Sequence, residues 1–515
     1  MLGWVLFAQG QIKPAITEFE QAIRLRPTLV EAHINLSRAL ALNRDGPGAV
    51  REARTAVKLA PHTAEPYHAL AHALEQSGDV DSAVAAMQRA IEINSHNAEF
   101  HDDLGSLLSS QHRTEEAIPQ FLEALKLDPN SPSAHLHLGV LYFERKEFEQ
   151  ATIQLRRACE LAPRNFLAFT YLGFALRGRS DLQGAIAALQ SSIDIYPEQY
   201  DAQNSLGLLL QRAGRPEDAV VAFRQAVRLQ PFNPEPQNNL GLALLQTGDG
   251  EGALAAFGSA VRLAPEDAGY RGNYGVALLQ KADFAGAASE LQAALQRAPE
   301  NPTFHYDLGL ALKLQDKLPE AIAEFRKAES LDPTQPDAPY TLGVTLWQQG
   351  DLDGAVAELQ SAIRAKPDYA EAFYTLGTVL KQQGKLPEAI SALREAVRLQ
   401  PEFAGAHTTL AAVLRQAGQT EEAAAESRLG NQLAKRKNDL QAAVFATNSG
   451  KRLRNAGDLD GAISQFQSAI SSAPDYAPAH FELGLALKRQ GKTKEAATEF
   501  ETAAHLDPRV KIPSF

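Results

Sequence analysis

The chain contains one cysteine, Cys159, two methionines and two tryptophans among 515 residues. A single thiol excludes an internal disulfide framework and a cysteine-rich metal site, and is compatible with a reducing compartment without establishing one. No stretch of 18 apolar residues is present to cross a membrane. Basic residues are the minority: 50 Lys plus Arg stand against 62 Asp plus Glu, a net charge of −12. That sign favours solubility and argues against nucleic acid or an anionic membrane as a general partner. No HExxH pair, Ser-His-Asp arrangement or activated cysteine context is found.

What the chain has in quantity is one repeated unit. Residues 370–403, AEAFYTLGTVLKQQGKLPEAISALREAVRLQPEF, hold two amphipathic segments divided by Gly384. Phe373, Leu376, Gly377 and Leu380, then Ala389, Leu393, Ala396 and Val397, follow helical spacing. Gly384 is suited to end the first helix with positive φ, and Pro401 to close the second. Numbering Pro401 as position 32, proline recurs at Pro129, Pro163, Pro197, Pro231 and onward in steps of 34, with Ser95 the exception. Position 20 is alanine in every unit, from Ala15 and Ala49 to Ala462 and Ala496. Position 8 is glycine (Gly105, Gly207, Gly309) or small (Ser37, Ala71, Ala411), while position 24 is mostly Phe or Leu, so large side chains fill what small ones leave. On this register Met1 is position 6 of a shortened first unit, residues 1–29. Either that hairpin is short or the frame continues upstream. The chain as it stands points to the cytoplasm, and an upstream continuation would leave a periplasmic or secreted location open. The opening MLGWVLFAQGQ has neither the basic flank nor the cleavage pattern of a signal peptide.

The pattern of aromatic, Leu-Gly, Leu, Ala, Phe, Ala and Pro resembles the tetratricopeptide repeat family over essentially the whole chain. The resemblance implies an all-α, right-handed solenoid of about fifteen helix hairpins with a concave groove, consistent with hairpins that cannot bury their apolar faces alone. The main solenoid is expected over 1–437, with repeats at 30–63, 64–97, 98–131 and onward to 404–437. Ala462 lies 39 residues after Ala423, so five residues, 438–442, are added there. With no proline between 421 and 455, one long helix is expected to join two repeats, and five extra residues turn the following face by roughly 140°. Two C-terminal repeats at 443–510 and a tail, 511–515, complete the chain. No polar capping helix follows Pro508, so the terminal edge is expected to be an apolar surface open to self-association.

The resemblance places the groove at positions 2, 5, 6, 9, 12 and 13. Position 9 is apolar through Phe174, Leu208 and Leu242, and position 13 is often glutamine, as in Gln246 and Gln382. Aromatics gather at Tyr306, Tyr340, Tyr374 and Trp347, flanked by Lys313 and Lys381, and Asn204 and Asn238 stand at position 5. The aromatic cluster with its two lysines is the expected peptide-binding hot spot, in a groove that also includes Asn204, Asn238, Phe174, Leu208 and Leu242. Tyrosine at position 5 has a plainer use in supporting neighbouring helices. The lysines of the family's carboxylate clamp are absent. The array is similar in length and regularity to the arm of O-GlcNAc transferase, but that arm's asparagine ladder at position 6 is matched only by Asn35, Asn239 and Asn273, with Asp103 and Asp307 as relatives.

Six histidines (His33, His101, His135, His305, His407 and His480) take position 4 and are expected as ring fillers. His68 and His72, at positions 5 and 9, could be approached by Asp102; these are either a metal set or, as the sequence favours, ordinary groove residues. Gly248 to Gly252 and Gly491-Lys492-Thr493 fall on repeat turns, without the strand or the spacing that phosphate loops need. The sequence therefore points to a non-catalytic scaffold, without metal or cofactor, that binds peptide or helical segments of other proteins. The alternatives are the recognition arm of a larger enzyme such as a glycosyltransferase, or a periplasmic or secreted assembly factor.

Overall fold

The computed structural model describes residues 2–512; Met1 and the last three residues of the expected tail lie outside. Twenty-nine helices and no strand are found among the described residues. They pair as hairpins, an A helix of about thirteen residues and a B helix of fourteen, as in Tyr200–Arg212 with Pro216–Leu229. The chain forms two compact units, one up to Pro265 and the other from Glu266. No helix is long and apolar enough to cross a membrane among the described residues.

Local chemistry sets the helix limits. The turn inside each hairpin passes through position 15 with positive φ: Gly384 at 77°, but also Arg44, His112, Lys146, Ser180, Ala282 and Asp316 near 60°. Asp79, Asp181, Asp249 and Asp351 then cap B helices, each side chain accepting from the backbone N–H three residues on. Asn165, Asn233 and Asn301 cap A helices, their side chains accepting from backbone N–H groups two or three residues on.

The core of each hairpin is a fit between position 8 and position 24. A Cβ on Gly207 would lie 2.5 Å from Phe223 Cε1, and one on Gly377 would lie 2.5 Å from Leu393 Cγ. Where position 8 does carry a side chain, position 24 has changed with it: Ser37 faces Ala53, Ala71 faces Met87 and Ala411 faces Ser427. In the first and third pairs the added volume is offset by a smaller residue at position 24, and in the second the unbranched, flexible Met87 replaces a Phe or Leu. The alanines at position 20 are buried without exception, from Ala15 to Ala496.

The longest helix, Thr420–Asn455, has 36 residues and serves as B helix of one hairpin and A helix of the next. Its ends pack on the helices Ala404–Gln416 and Leu459–Ser472. Its middle lies open to solvent, with Leu440 and Phe445 exposed.

Candidate functional site

The A helices present their positions 5, 6, 9, 12 and 13 on one face, and neighbouring repeats meet there with an offset of 35 residues. Position 5 of one repeat reaches position 6 of the next. In the first unit Asp102 accepts from His137 at 2.9 Å and Asn239 donates to Asn204 at 3.2 Å. In the second unit Tyr306 and Thr341 hydroxyls stand 3.4 Å apart. Position 12 reaches position 13 in the same way: Trp347 Nε1–H donates to Gln382 Oε1 at 2.7 Å.

This offset corrects one sequence expectation. Asp102 does not approach His68 and His72, because position 5 faces the following repeat and Asp102 is engaged by His137. Asp103, one residue and about 100° further round the helix, takes its place. Its Oδ2 lies 2.7 Å from His68 Nε2 and 3.1 Å from His72 Nε2, and the two nitrogens are 3.0 Å apart. His68 also packs on Phe100, with ring centroids 4.8 Å apart. The hydrogen bond to Asp103, helped by Glu75, raises the His72 imidazole to about 9. Burial pushes the Asp103 carboxyl upward, but the hydrogen bonds from His68 and His72 outweigh it and hold the group well below the usual carboxylate range.

In the second unit the expected aromatic residues are all half-buried. Tyr340 leans on Tyr369, with centroids 5.0 Å apart, and Tyr374 leans on Phe403 at 4.8 Å. Tyr369 and Phe403 stand where other repeats carry an asparagine or aspartate cap, and neither makes a side-chain cap bond. An aromatic pair of about 0.5–1.5 kcal/mol thus stands in for a cap of similar worth. Lys366 Nζ sits 5.0 Å from the Tyr369 ring centroid. Lys313 is half-buried, and burial lowers its ammonium. Lys381 is also half-buried, next to the exposed Gln382.

Tyr306 lines a cavity of about 340 Å³ with Asp307, Asp337, Thr303 and Pro302. Asp307 has no cationic partner among the described residues, and burial pushes its carboxyl up to about 6. In the sequence Asp307 is only an imperfect member of an asparagine ladder. The signal that singles it out, an acid at a groove position beside Tyr306, becomes visible only once burial is known.

In the first unit Phe174, Leu208 and Leu242 lie along the A-helix face, with Leu208 40% exposed and the other two half-buried. The Arg177 guanidinium covers Phe174 at 5.4 Å. Asn204 is buried, donating to Glu235 at 2.8 Å while accepting from Asn239. Asn238 is buried beside it.

The six histidines at position 4 do more than fill space. Each sets Nδ1 on the side chain 19 residues later and Nε2 on the backbone carbonyl six residues earlier. His33 bridges Glu52 at 2.7 Å and the Pro27 carbonyl at 3.0 Å; His407 bridges Glu426 at 2.5 Å and the Pro401 carbonyl at 2.9 Å. His101 and His135 use Gln120 and Gln154. Each ring thus clamps its own B helix to the end of the preceding repeat. The 19-residue spacing to Glu or Gln is readable in the sequence once it is looked for. Cys159 is buried, and burial pushes its thiol up to about 12, away from reactivity.

Three family models match the chain. "TPR repeat" matches residues 3–44, 312–350 and 346–384, and "Tetratricopeptide repeat" matches 374–429 and 447–510. "Cilia and flagella-associated protein 70 C-terminal domain" matches 66–306. No curated protein sequence matches the chain. Among solved structures, the chain is similar to YrrB, described as a TPR protein with an unusual peptide-binding site (24% identity, 35% of this chain and 94% of that one, TM-score 0.34). It is also similar to PilF of Pseudomonas aeruginosa (21%, 40% and 95%, TM-score 0.38). Cut9-Hcn1 of the APC/C matches over 94% of this chain and 95% of its own at 14% identity and TM-score 0.35. With the repeat models matching near both ends of the chain and the hairpins recurring throughout the described residues, the chain belongs to the tetratricopeptide repeat family.

Proposed function

We propose that the chain is a non-catalytic scaffold whose A-helix faces hold peptide or helical segments of partner proteins, with the principal site around Tyr306, Asp307, Tyr340 and Trp347. Repeat architectures of this kind typically serve as interaction scaffolds. The observation that carries the proposal is Asp307, a half-buried carboxylate with no cation beside it among the described residues, at the edge of a cavity walled by Tyr306 and Asp337. An unpaired carboxylate partly withdrawn from water is costly, and a lysine or arginine side chain arriving from a partner offsets that cost. Such a side chain would pass along the Tyr306 ring and end on Asp307, with Asp337 adding to the negative field. Half-buried Val276, Leu310 and Val344 provide apolar contact along the same faces of the second unit.

The test is selection from a random peptide display library on the purified chain, repeated with Asp307→Asn and with Tyr306→Ala. The expected result is a set of peptides sharing a basic residue, with that preference lost in Asp307→Asn and binding weakened in Tyr306→Ala. Peptides with no basic preference, bound equally by all three proteins, would overturn the assignment of this site.

A further inference from the structure

In the first unit, outside the proposed peptide site, one cluster brings three ligand-type atoms to a point. His68 and His72 are one helical turn apart on the helix Ala64–Gln76, which places both rings on one face. Asp103 comes from the helix Ala98–Ser110 of the following repeat. His68 Nε2, His72 Nε2 and Asp103 Oδ2 form a triangle with edges of 2.7, 3.0 and 3.1 Å. We infer that these three side chains are a binding site for a divalent transition-metal ion of the zinc class, bridging two adjacent repeats on the groove face.

The geometry fits with little movement. At metal bonds of about 2.0–2.1 Å, the ligand atoms of a tetrahedral ion stand about 3.3 Å apart. The triangle therefore has to open by about 0.2–0.6 Å along its edges, most at the His68–Asp103 edge. Two imidazoles with one carboxylate is a donor set suited to zinc, cobalt or nickel rather than to calcium or magnesium, which prefer oxygen. Hydrogen bonding alone explains the arrangement less fully. Both Nε2 atoms point at one carboxylate oxygen and also at each other, whereas a central cation would use one lone pair from each of the three atoms. Supporting groups are in place as well. Glu75 Oε2 lies 3.6 Å from His72 Nδ1, where it can hold the ring's orientation, and Phe100 backs the His68 ring. His68 is buried, while the His72 side chain is 41% exposed, which leaves the fourth coordination position toward solvent. The ion would tie the two A helices together at the points where the 35-residue offset brings them into contact.

The chain is purified without a histidine tag, stripped with a chelator and titrated with zinc by calorimetry and with cobalt by visible absorption. The expected result is one zinc per chain, a cobalt spectrum of low-symmetry four- or five-coordinate type, and affinity at least tenfold weaker in His72→Ala and in Asp103→Asn. Asp102→Asn, which alters the neighbouring acid that contacts only His137, is expected to bind as the parent does. Circular dichroism of each variant checks that the helices remain. No saturable binding by the parent, or unchanged affinity in both His72→Ala and Asp103→Asn, would overturn the site. An equal loss in Asp102→Asn would also overturn it, since that acid lies outside the triangle.

Discussion

Replacing Gly207 with alanine sets two opposing effects against each other, and the structure says which wins. Alanine in a helix interior is favoured over glycine by about 1 kcal/mol. The new Cβ, however, would lie 2.5, 2.7 and 2.7 Å from three ring atoms of Phe223, where carbon atoms prefer about 3.5–4.0 Å. Phe223 is completely buried, so the ring cannot swing into solvent. Overpacking of this kind costs about 1–3 kcal/mol, and with the alanine gain deducted the net expectation for Gly207→Ala is a loss of about 1 kcal/mol, at most about 2. The chain itself suggests the compensating change, since the repeat with Ala71 at this position carries Met87 opposite. In the double variant Gly207→Ala, Phe223→Met the flexible thioether can move aside, so it should recover at least about 1 kcal/mol relative to the sum of the single variants. A solenoid unfolds in pieces, so a single melting temperature is a poor readout. Urea denaturation should be combined with amide exchange in the helices Tyr200–Arg212 and Pro216–Leu229. If Gly207→Ala matches or exceeds the parent in protection there, or if the two substitutions are simply additive, the packing argument is wrong.

Gly384→Ala separates backbone strain from packing. Its φ is 77° and nothing lies within 4 Å of the added Cβ, so the loss should be only about 1 kcal/mol, measured by the same exchange method over the helices Ala370–Gln382 and Leu386–Leu399. Glu358 shows what a position-23 glutamate does without its histidine. Pro339 stands at position 4 of that repeat, and burial together with Glu329 pushes Glu358 up to about 7. Because the folded value is raised, the native state holds a proton that the unfolded chain has lost, so stability falls as pH rises from about 4.5 to 7. Pro339→His should flatten that decline, as followed by exchange at pH 5 and 7; an unchanged slope would count against the histidine clamp. The carboxyl of Asp307, raised to about 6, must ionise to receive a basic side chain. Peptide affinity should therefore strengthen by up to about tenfold from pH 5 to 7, and Asp307→Asn should remove that dependence in a fluorescence titration.

The repeat period carries most of the fold. Pro401, Gly384, Gly377 and Ala389 each answer to a geometric need of the hairpin, and their recurrence makes the helix pairs readable without coordinates. The absence of proline between Glu421 and Asn455 likewise announces the 36-residue helix. The groove was less legible, because periodic sequence gives a residue's position within its own helix but not its register against the next one. That is why Asp102 was expected where Asp103 stands: a one-residue offset between repeats reverses which acid faces the two histidines. Tyr340 and Tyr374 show the same limit from another side. Their partners Tyr369 and Phe403 replace cap residues, a substitution with no meaning until the rings are seen in contact. Asp307 is visible in the sequence as an acid but not as a half-buried one without a cation, and that environment is what gives it a role.

The most direct test of the central claim is amide exchange of the full chain with and without a basic peptide taken from the display selection. Binding at the proposed site predicts new protection concentrated in the helices Pro302–Leu314, Asp337–Gln348 and Ala370–Gln382, which carry Tyr306, Asp307, Tyr340, Trp347 and Tyr374. Protection confined to the B helices, or to repeats remote from Asp307, would contradict it.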